Sequence, residues 1–221
     1  MKIEGCEFPD DLLYDGDGLV WARIERAGDV TVGITSIYAA VAGRLTKLTG
    51  KLRGVAYPKG VAIGFLESGR YFGPIRTPVG GILEAINAEV LTNPRMMTDA
   101  LYGNGWFARV RPSNLDDDRR ELGMLTAAHQ VLSRQISALR VRCFAAFPDH
   151  EMFEIGTECA AVLTKLNDTL ASIPVGEVVH LVTDDPTSHI EMIRWSDQTG
   201  TPVIDERREG PLFHFLVRKV A

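Results

Sequence analysis

Short apolar runs set off by glycine and proline fill the first half of the chain: 19–25 (LVWARIE), 30–35 (VTVGIT), 61–68 (VAIGFLES), 80–87 (GGILEAIN) and 105–112 (GWFARVRP). Runs of this length, rich in Val, Ile and aromatic residues, predict the strands of a small antiparallel or barrel-like fold. A short helix is expected within 93–103, closed by Gly103. From 113 to 147 the period changes. Leu122, Leu125, His129, Leu132 and Ile136 follow at spacings of three and four, which predicts one long helix with a mainly apolar face. Ser113 or Asn114 can cap it, Asp116 to Asp118 sit where the macrodipole favours negative charge, and Pro148 ends it.

Beyond residue 150 strand and helix patterns alternate. Residues 151–156 read as a strand, 158–173 as a helix with Leu163, Leu166 and Leu170 at one-turn spacing, and 177–184 as a strand. A second helix is expected over 185–200, with Asp185 as N-cap, Pro186 at the first helical position and Gly200 as terminator. Two strands joined at Gly210 complete the order β-α-β-α-β-β, a two-layer arrangement with helices on one face of the sheet.

Composition narrows the classes. The chain has 221 residues, 45% of them apolar, and a formal net charge of −5. A core is within reach, and the negative balance argues against nucleic acid or an anionic membrane as partner. No apolar run is long enough to cross a bilayer, and the acidic start MKIEGCEFPDDLLYD is not a secretory signal. Cys6, Cys143 and Cys159 are far apart and odd in number, which fits a reducing compartment rather than a disulfide framework. A cytoplasmic protein is expected. Cys6 is expected in an exposed N-terminal tail and Cys143 in packing beside Phe144 and Phe147. The histidines at 129, 150, 180, 189 and 214 show no ligand spacing, so no metal site is expected. The GDG (16–18) and GNG (103–105) sequences lack the strand–loop–helix context of a phosphate cradle and read as turns.

Two places carry candidate chemistry. In ESGRYFGPIRTPVGG (67–81) the patterning predicts a hairpin with Gly69 supplying a positive φ and Arg70 projecting at the tip. In IGTECAAVL (155–163) Cys159 falls at the start of a predicted helix, where free amides stabilise a thiolate. A thiolate is what sulfur transfer requires. Glu158 opposes that ionisation. Asp184 and Asp185 read as loop and cap residues.

The segments FPDDLLY, VTVGIT, FLESGRYFGPIRTPVGGILEAIN and NPRMMTDALYGNGW resemble, in order and spacing, the H protein of the glycine cleavage system over about residues 8–130. That resemblance implies a β-barrel-sandwich hybrid for residues 1–131. It also implies a docking hairpin that includes Glu67, with the lipoyl-carrying position falling on Arg70. Lys47, Lys51 and Lys59 do not meet that motif. A guanidinium keeps its proton and does not form the lipoyl amide, so no cofactor is expected.

Residues 151–221 resemble the TusA family of sulfur carriers, with Cys159 on the persulfide cysteine and Gly176 of IPVGE, TDDP (183–186) and FHFLVRK (213–219) in step. The family's CPxP motif reads Cys159-Ala160-Ala161-Val162 here, so both prolines are gone. The α+β organisation expected is thus 1–131, a helical linker over 132–150, and a two-layer module over 151–221. The function expected is a sulfur carrier with a persulfide on Cys159 and partners among sulfur-transfer or lipoate-pathway proteins. The alternative is a non-catalytic adaptor that keeps the docking surfaces of both modules.

Overall fold

The computed structural model describes residues 1–17 and 19–220. The expected turn at 16–18 reaches Gly18, which lies outside the described residues. In chain order the elements are β1 (Lys2–Ile3), β2 (Cys6–Glu7), β3 (Leu13–Tyr14), β4 (Val20–Ile24), β5 (Val30–Ile34), α1 (Ser36–Ala42), β6 (Leu45–Gly50), β7 (Ala56–Tyr57), β8 (Ala62–Ser68), β9 (Phe72–Arg76), β10 (Gly81–Ile86), α2 (Ala88–Thr92), α3 (Arg95–Asp99), β11 (Ala108–Pro112), α4 (Leu115–Glu121), β12 (Gly123–Met124) and α5 (Leu125–Ala138). They continue with β13 (His150–Glu154), α6 (Cys159–Ser172), β14 (Val178–Thr183), α7 (Ser188–Thr199), β15 (Val203–Glu209) and β16 (Leu212–Arg218). The chain divides into two compact units, Met1–Cys143 and Phe144–Ala221.

The first unit corrects the expected barrel. Its main sheet has seven strands in the order β12-β3-β4-β5-β11-β10-β7 and is open, because β12 and β7 at its two ends do not pair with each other. The β6, β8 and β9 strands form a separate three-stranded sheet. Both end strands are two residues long, too short to carry a closing ladder. The architecture is mixed α/β with several antiparallel sheets. Leu66 of β8 and Ile75 of β9 point into the core, Ile63 joins them where the ladder shifts register between Ala62 and Gly64, and Phe72 stays 66% exposed.

The long helix expected over 113–147 is two helices. Residues 122–124 leave helical geometry, and Gly123 and Met124 pair with Tyr14 and Leu13. The apolar spacing continues across this break, so the periodicity alone hides it. Leu125, Ala128, Leu132 and Ile136 form the buried side of α5, and His129 is exposed. That side packs on Phe8, Tyr14 and Trp21.

The N-terminal residues are not a tail. Lys2 pairs with Glu7 and Ile3 with Cys6 in a small hairpin that packs beneath α5. This brings Cys6 to Cys143 in a disulfide spanning 137 positions of sequence, with both sulfurs buried. The expectations of an exposed Cys6 and of no disulfide are therefore wrong, and the cysteine count gives no reason to infer a reducing compartment. No helix among the described residues is long and apolar enough to cross a membrane.

In the second unit β13 runs parallel to β14, and β16 lies between β14 and the edge strand β15, antiparallel to both. Val162, Leu166 and Leu170 of α6 and Met192 and Trp195 of α7 pack against Val179, Leu181, Phe213, Phe215 and Val217. Gly200 ends α7 in the left-handed region at φ 70°, where its amide closes on the Ser196 carbonyl. The helix itself begins at Ser188 with Thr187 before it, later than the Asp185 cap expected.

Candidate functional site

The β8–β9 hairpin turns through residues 69–70, and the Ser68 amide donates to the Tyr71 carbonyl at 2.8 Å. Gly69 is not among the positive-φ residues, contrary to expectation. The turn is held instead by the Ser68 hydroxyl, which accepts from the amides of Arg70 and Tyr71 at 3.3 and 3.1 Å. The same hydroxyl donates to the Ala42 carbonyl at 2.6 Å. The Arg70 guanidinium donates to the Ala40 carbonyl at 3.0 Å. Both acceptors lie in the last turn of α1, whose carbonyls have no partner further along the helix. Thr35 begins that helix by accepting from the Tyr38 amide, and Gly43 ends it at φ 71°. A Cβ on Gly43 would sit 2.8 Å from the Arg70 Nε, so glycine is needed for both the backbone angle and the room. A cation here also complements the negative end of the helix dipole.

Glu67 is exposed and stands in register with Lys47 on β6 and Phe72 on β9. Phe72 stacks on Phe65 at 5.5 Å between ring centres. The hairpin thus shows an aromatic pair and a carboxylate on one face and the seated guanidinium at its tip.

Cys159 opens α6 and is the free cysteine of the chain's three. Its residue is 7% exposed. The Cys159 amide donates to Asp185 Oδ2 at 2.8 Å, and Asp185 Oδ1 accepts from the Thr187 amide and hydroxyl at 2.8 and 2.7 Å. Asp184 accepts from the Gly156 amide at 2.8 Å. The two aspartates expected to be loop and cap residues therefore clamp the loop before α6 to the turn before α7. Hydrogen bonds from the Thr187 side chain and amide hold the Asp185 carboxyl below its usual range. Burial pushes the Cys159 thiol up, and the carboxylates of Asp185 and Glu191 push it further. Glu158, expected to oppose ionisation, precedes the helix and caps no amide with its side chain.

Arg70 and Cys159 belong to different units. The sequence missed the α1 terminus and Glu191. Thr35 and Gly43 bracket a seven-residue helix and were the readable signal for the first. Nothing along the chain pairs Glu191 with Cys159. Among the described residues no group of three or more His, Cys, Asp or Glu side chains is placed to hold a metal.

The family model described as glycine cleavage H-protein matches residues 12–135. Glycine cleavage system H protein 5 of Aquifex aeolicus is 34% identical over 146 residues, covering 64% of this chain and 98% of that protein. A probable glycine cleavage system H protein 2 of Saccharolobus solfataricus is 33% identical, covering 65% and 98%. The crystal structure of a glycine cleavage system H protein from Mycobacterium marinum covers 56% of this chain and 98% of its own, at 26% identity and a TM-score of 0.49. With more than half its length inside the family model, the chain belongs to the glycine cleavage H-protein family.

Proposed function

We propose that the protein is a non-lipoylated member of this family that works as a recognition module. It offers its hairpin to proteins that handle lipoyl carriers and carries no lipoyl group itself. The observation that supports this most is the seating of Arg70. At the position where the family resemblance puts the lipoyl lysine, a permanently charged guanidinium lies on the Ala40 carbonyl. A guanidinium is not acylated under the conditions that acylate an amine. The exposed Phe72 beside Glu67 supports retention of a docking face, since exposed aromatics contribute strongly to recognition.

The test is intact mass after incubation with lipoate, ATP and a lipoate–protein ligase. The native chain should gain nothing, and Arg70→Lys should gain one lipoyl group because the hairpin is already shaped to present that position. Lipoylation of the native chain sinks the reading. So does an unmodified Arg70→Lys protein that also fails to bind the ligase.

A second reading makes Cys159 a sulfur carrier. It is favoured by the placement of this free thiol as the first residue of α6, in a segment whose sequence resembles the TusA carriers. In that chemistry the thiolate attacks the outer sulfur of a donor persulfide, the donor leaves as a thiolate, and Cys159 becomes the persulfide. It ranks second because burial and two carboxylates disfavour the thiolate. A mass gain of one sulfur from a persulfide donor, lost in Cys159→Ala, establishes it. No gain from several donors removes it and leaves the second unit as a further recognition surface.

A further inference from the structure

We infer that residues 144–149 form a strap across one face of the second unit's sheet, and that a pair of buried histidines latches this strap at neutral pH and releases it in acid. Every group involved lies in the second unit, so the strap is independent of the hairpin and of Cys159.

Val179, Leu181, Phe213, Phe215 and Val217 face the two helices. Alternation along β14 and β16 therefore sends His180 and His214 to the opposite face. His180 stands opposite Leu216 and His214 opposite Val182, which makes the two rings diagonal neighbours. Both are buried. His180 Nε2 lies 3.0 Å from His214 Nδ1. The ring centres are 5.2 Å apart and the planes differ by 20°. Rings placed in this way meet edge to edge, so one proton lies between them, with one ring donating and the other accepting.

The strap is seated on this pair. The Phe144 ring centre is 4.8 Å from that of His180 and 6.0 Å from that of His214. The Arg207 guanidinium lies over the Phe144 ring at 4.9 Å. The Ala145 amide donates to Asp205 Oδ2 at 2.8 Å. At the other end the Asp149 amide donates to the Val178 carbonyl at 2.8 Å, and the Val178 amide donates to Asp149 Oδ2 at 2.9 Å. Both ends are tied, and the tie at the first end runs through the histidines.

Counting protons gives the direction of the switch. Charged groups on this face are Glu151, in register with His180 on β13, Asp205, Arg207 and Glu209 on β15, Arg218 on β16 and Asp149 on the strap. Glu209 Oε2 lies 3.9 Å from His214 Nε2. A first extra proton leaves the latch intact, because the bond between the rings survives as a shared, charged one; Glu209 favours that charge and Arg207 opposes it. A second proton places hydrogen on both facing nitrogens and two like charges 3.0 Å apart, so the bond becomes a repulsion. The closed form therefore binds fewer protons in acid than the open form, in which both rings charge as ordinary histidines below about pH 6.5. By linkage the latch is fully present above that value and weakens as pH falls through it. Once the rings part, Phe144 has lost its seat.

The experiment follows amide hydrogen exchange in the full chain between pH 8 and pH 5, corrected for the intrinsic pH dependence of exchange. Protection of Ala145 should fall about tenfold or more, while that of Val178 and Asp149 holds. His180→Gln keeps a side-chain amide facing His214 Nδ1 that donates or, turned over, accepts, and it should flatten the response. His150→Gln, at the histidine paired with Glu177, should leave the response as in the native chain. Imidazole nitrogen shifts of the native chain give a readout that does not depend on either variant folding. His180 and His214 should titrate as a coupled pair, the second step coinciding with the loss of protection at Ala145. Constant protection at Ala145, a response that His180→Gln leaves unaltered, or two rings that titrate independently overturns the inference. So does an equal loss at Val178 and Asp149, because the whole unit then loosens rather than the strap.

Discussion

The C-terminal end of α1 and the N-terminal end of α6 pose opposite electrostatic problems, and the chain answers each from within. A helix ends with unpaired carbonyls and a partial negative charge, and begins with unpaired amides and a partial positive one. At α1 the Arg70 guanidinium and the Ser68 hydroxyl meet the carbonyls of Ala40 and Ala42. At α6 the Asp185 carboxylate meets the amide of Cys159. Both residues that sequence reasoning singled out sit at such ends, but in opposite roles. Arg70 is the group that neutralises its helix end. Cys159 sits at an end that another group has already neutralised. A helix terminus favours a charged residue only while its orphan groups are free, and the clamp that orders α6 takes away the amide a thiolate needs.

Four perturbations break or sharpen this contrast. The largest effect is expected from the staple on the first unit. Reducing the Cys6–Cys143 bond, or replacing Cys6 by Ser, releases a loop of 137 positions and should cost about 4 kcal/mol. Hydrogen exchange read separately on residues 1–143 and 144–220 should show the loss in the first range alone. Equal loss in both would mean the two units do not unfold independently.

Gly43→Ala comes next. The left-handed backbone angle and the approach of the guanidinium together should cost about 2 kcal/mol, visible as a lower midpoint for the first unit. If Gly43→Ala in an Arg70→Ala background costs as much as in the native chain, the guanidinium is not what crowds that position.

At the other helix end, Asp185→Ala removes the acceptor of the Cys159 and Thr187 amides and should cost about 1 kcal/mol. It should also raise the alkylation rate of Cys159, because one of the carboxylates holding the thiol up is gone. The sign follows from the cause. With its pKa raised, the thiol is mostly protonated at neutral pH, so reactivity in the native protein should climb only as pH passes above the ordinary thiol range near about 8.5. A reactivity curve centred at or below neutrality would restore Cys159 as a strong carrier candidate.

The smallest effect is expected from Arg70→Ala, about 0.5 kcal/mol, since an exposed cation at a helix C-terminus contributes little. A cost several times larger would make the arginine a structural part rather than a feature of the docking face.

Much of this was legible along the chain where local chemistry decides the outcome. The runs at 30–35 and 61–68 became β5 and β8, and the last five residues of 105–112 became β11, because their Val, Ile and Ala positions have a core to enter. Gly200 was readable as a terminator because only the left-handed angle there needs glycine. The helix start at Cys159 was found for the same local reasons. What escaped depends on partners remote in sequence. Leu122 and Leu125 keep helical spacing across a break that pairing with Tyr14 imposes. Gly69 looked like the residue that makes the hairpin turn, yet the Ser68 side chain does that work while bonded to α1. The barrel expected from strand spacing failed because spacing says nothing about whether the two end strands meet. Cys6 looked exposed because two-residue strands leave almost no periodic signal.

The bond from Cys6 to Cys143 also fixes how the molecule bears a mechanical load. A pull applied between the N-terminus and the second unit travels along residues 1–6, crosses the covalent bridge and leaves at Phe144. The intervening residues lie off the force path, so the hairpin and its surroundings feel no tension while that bridge is intact. Under stretching the oxidised chain should lengthen by the extension of the second unit alone, with the first contributing its contour only after the sulfurs part.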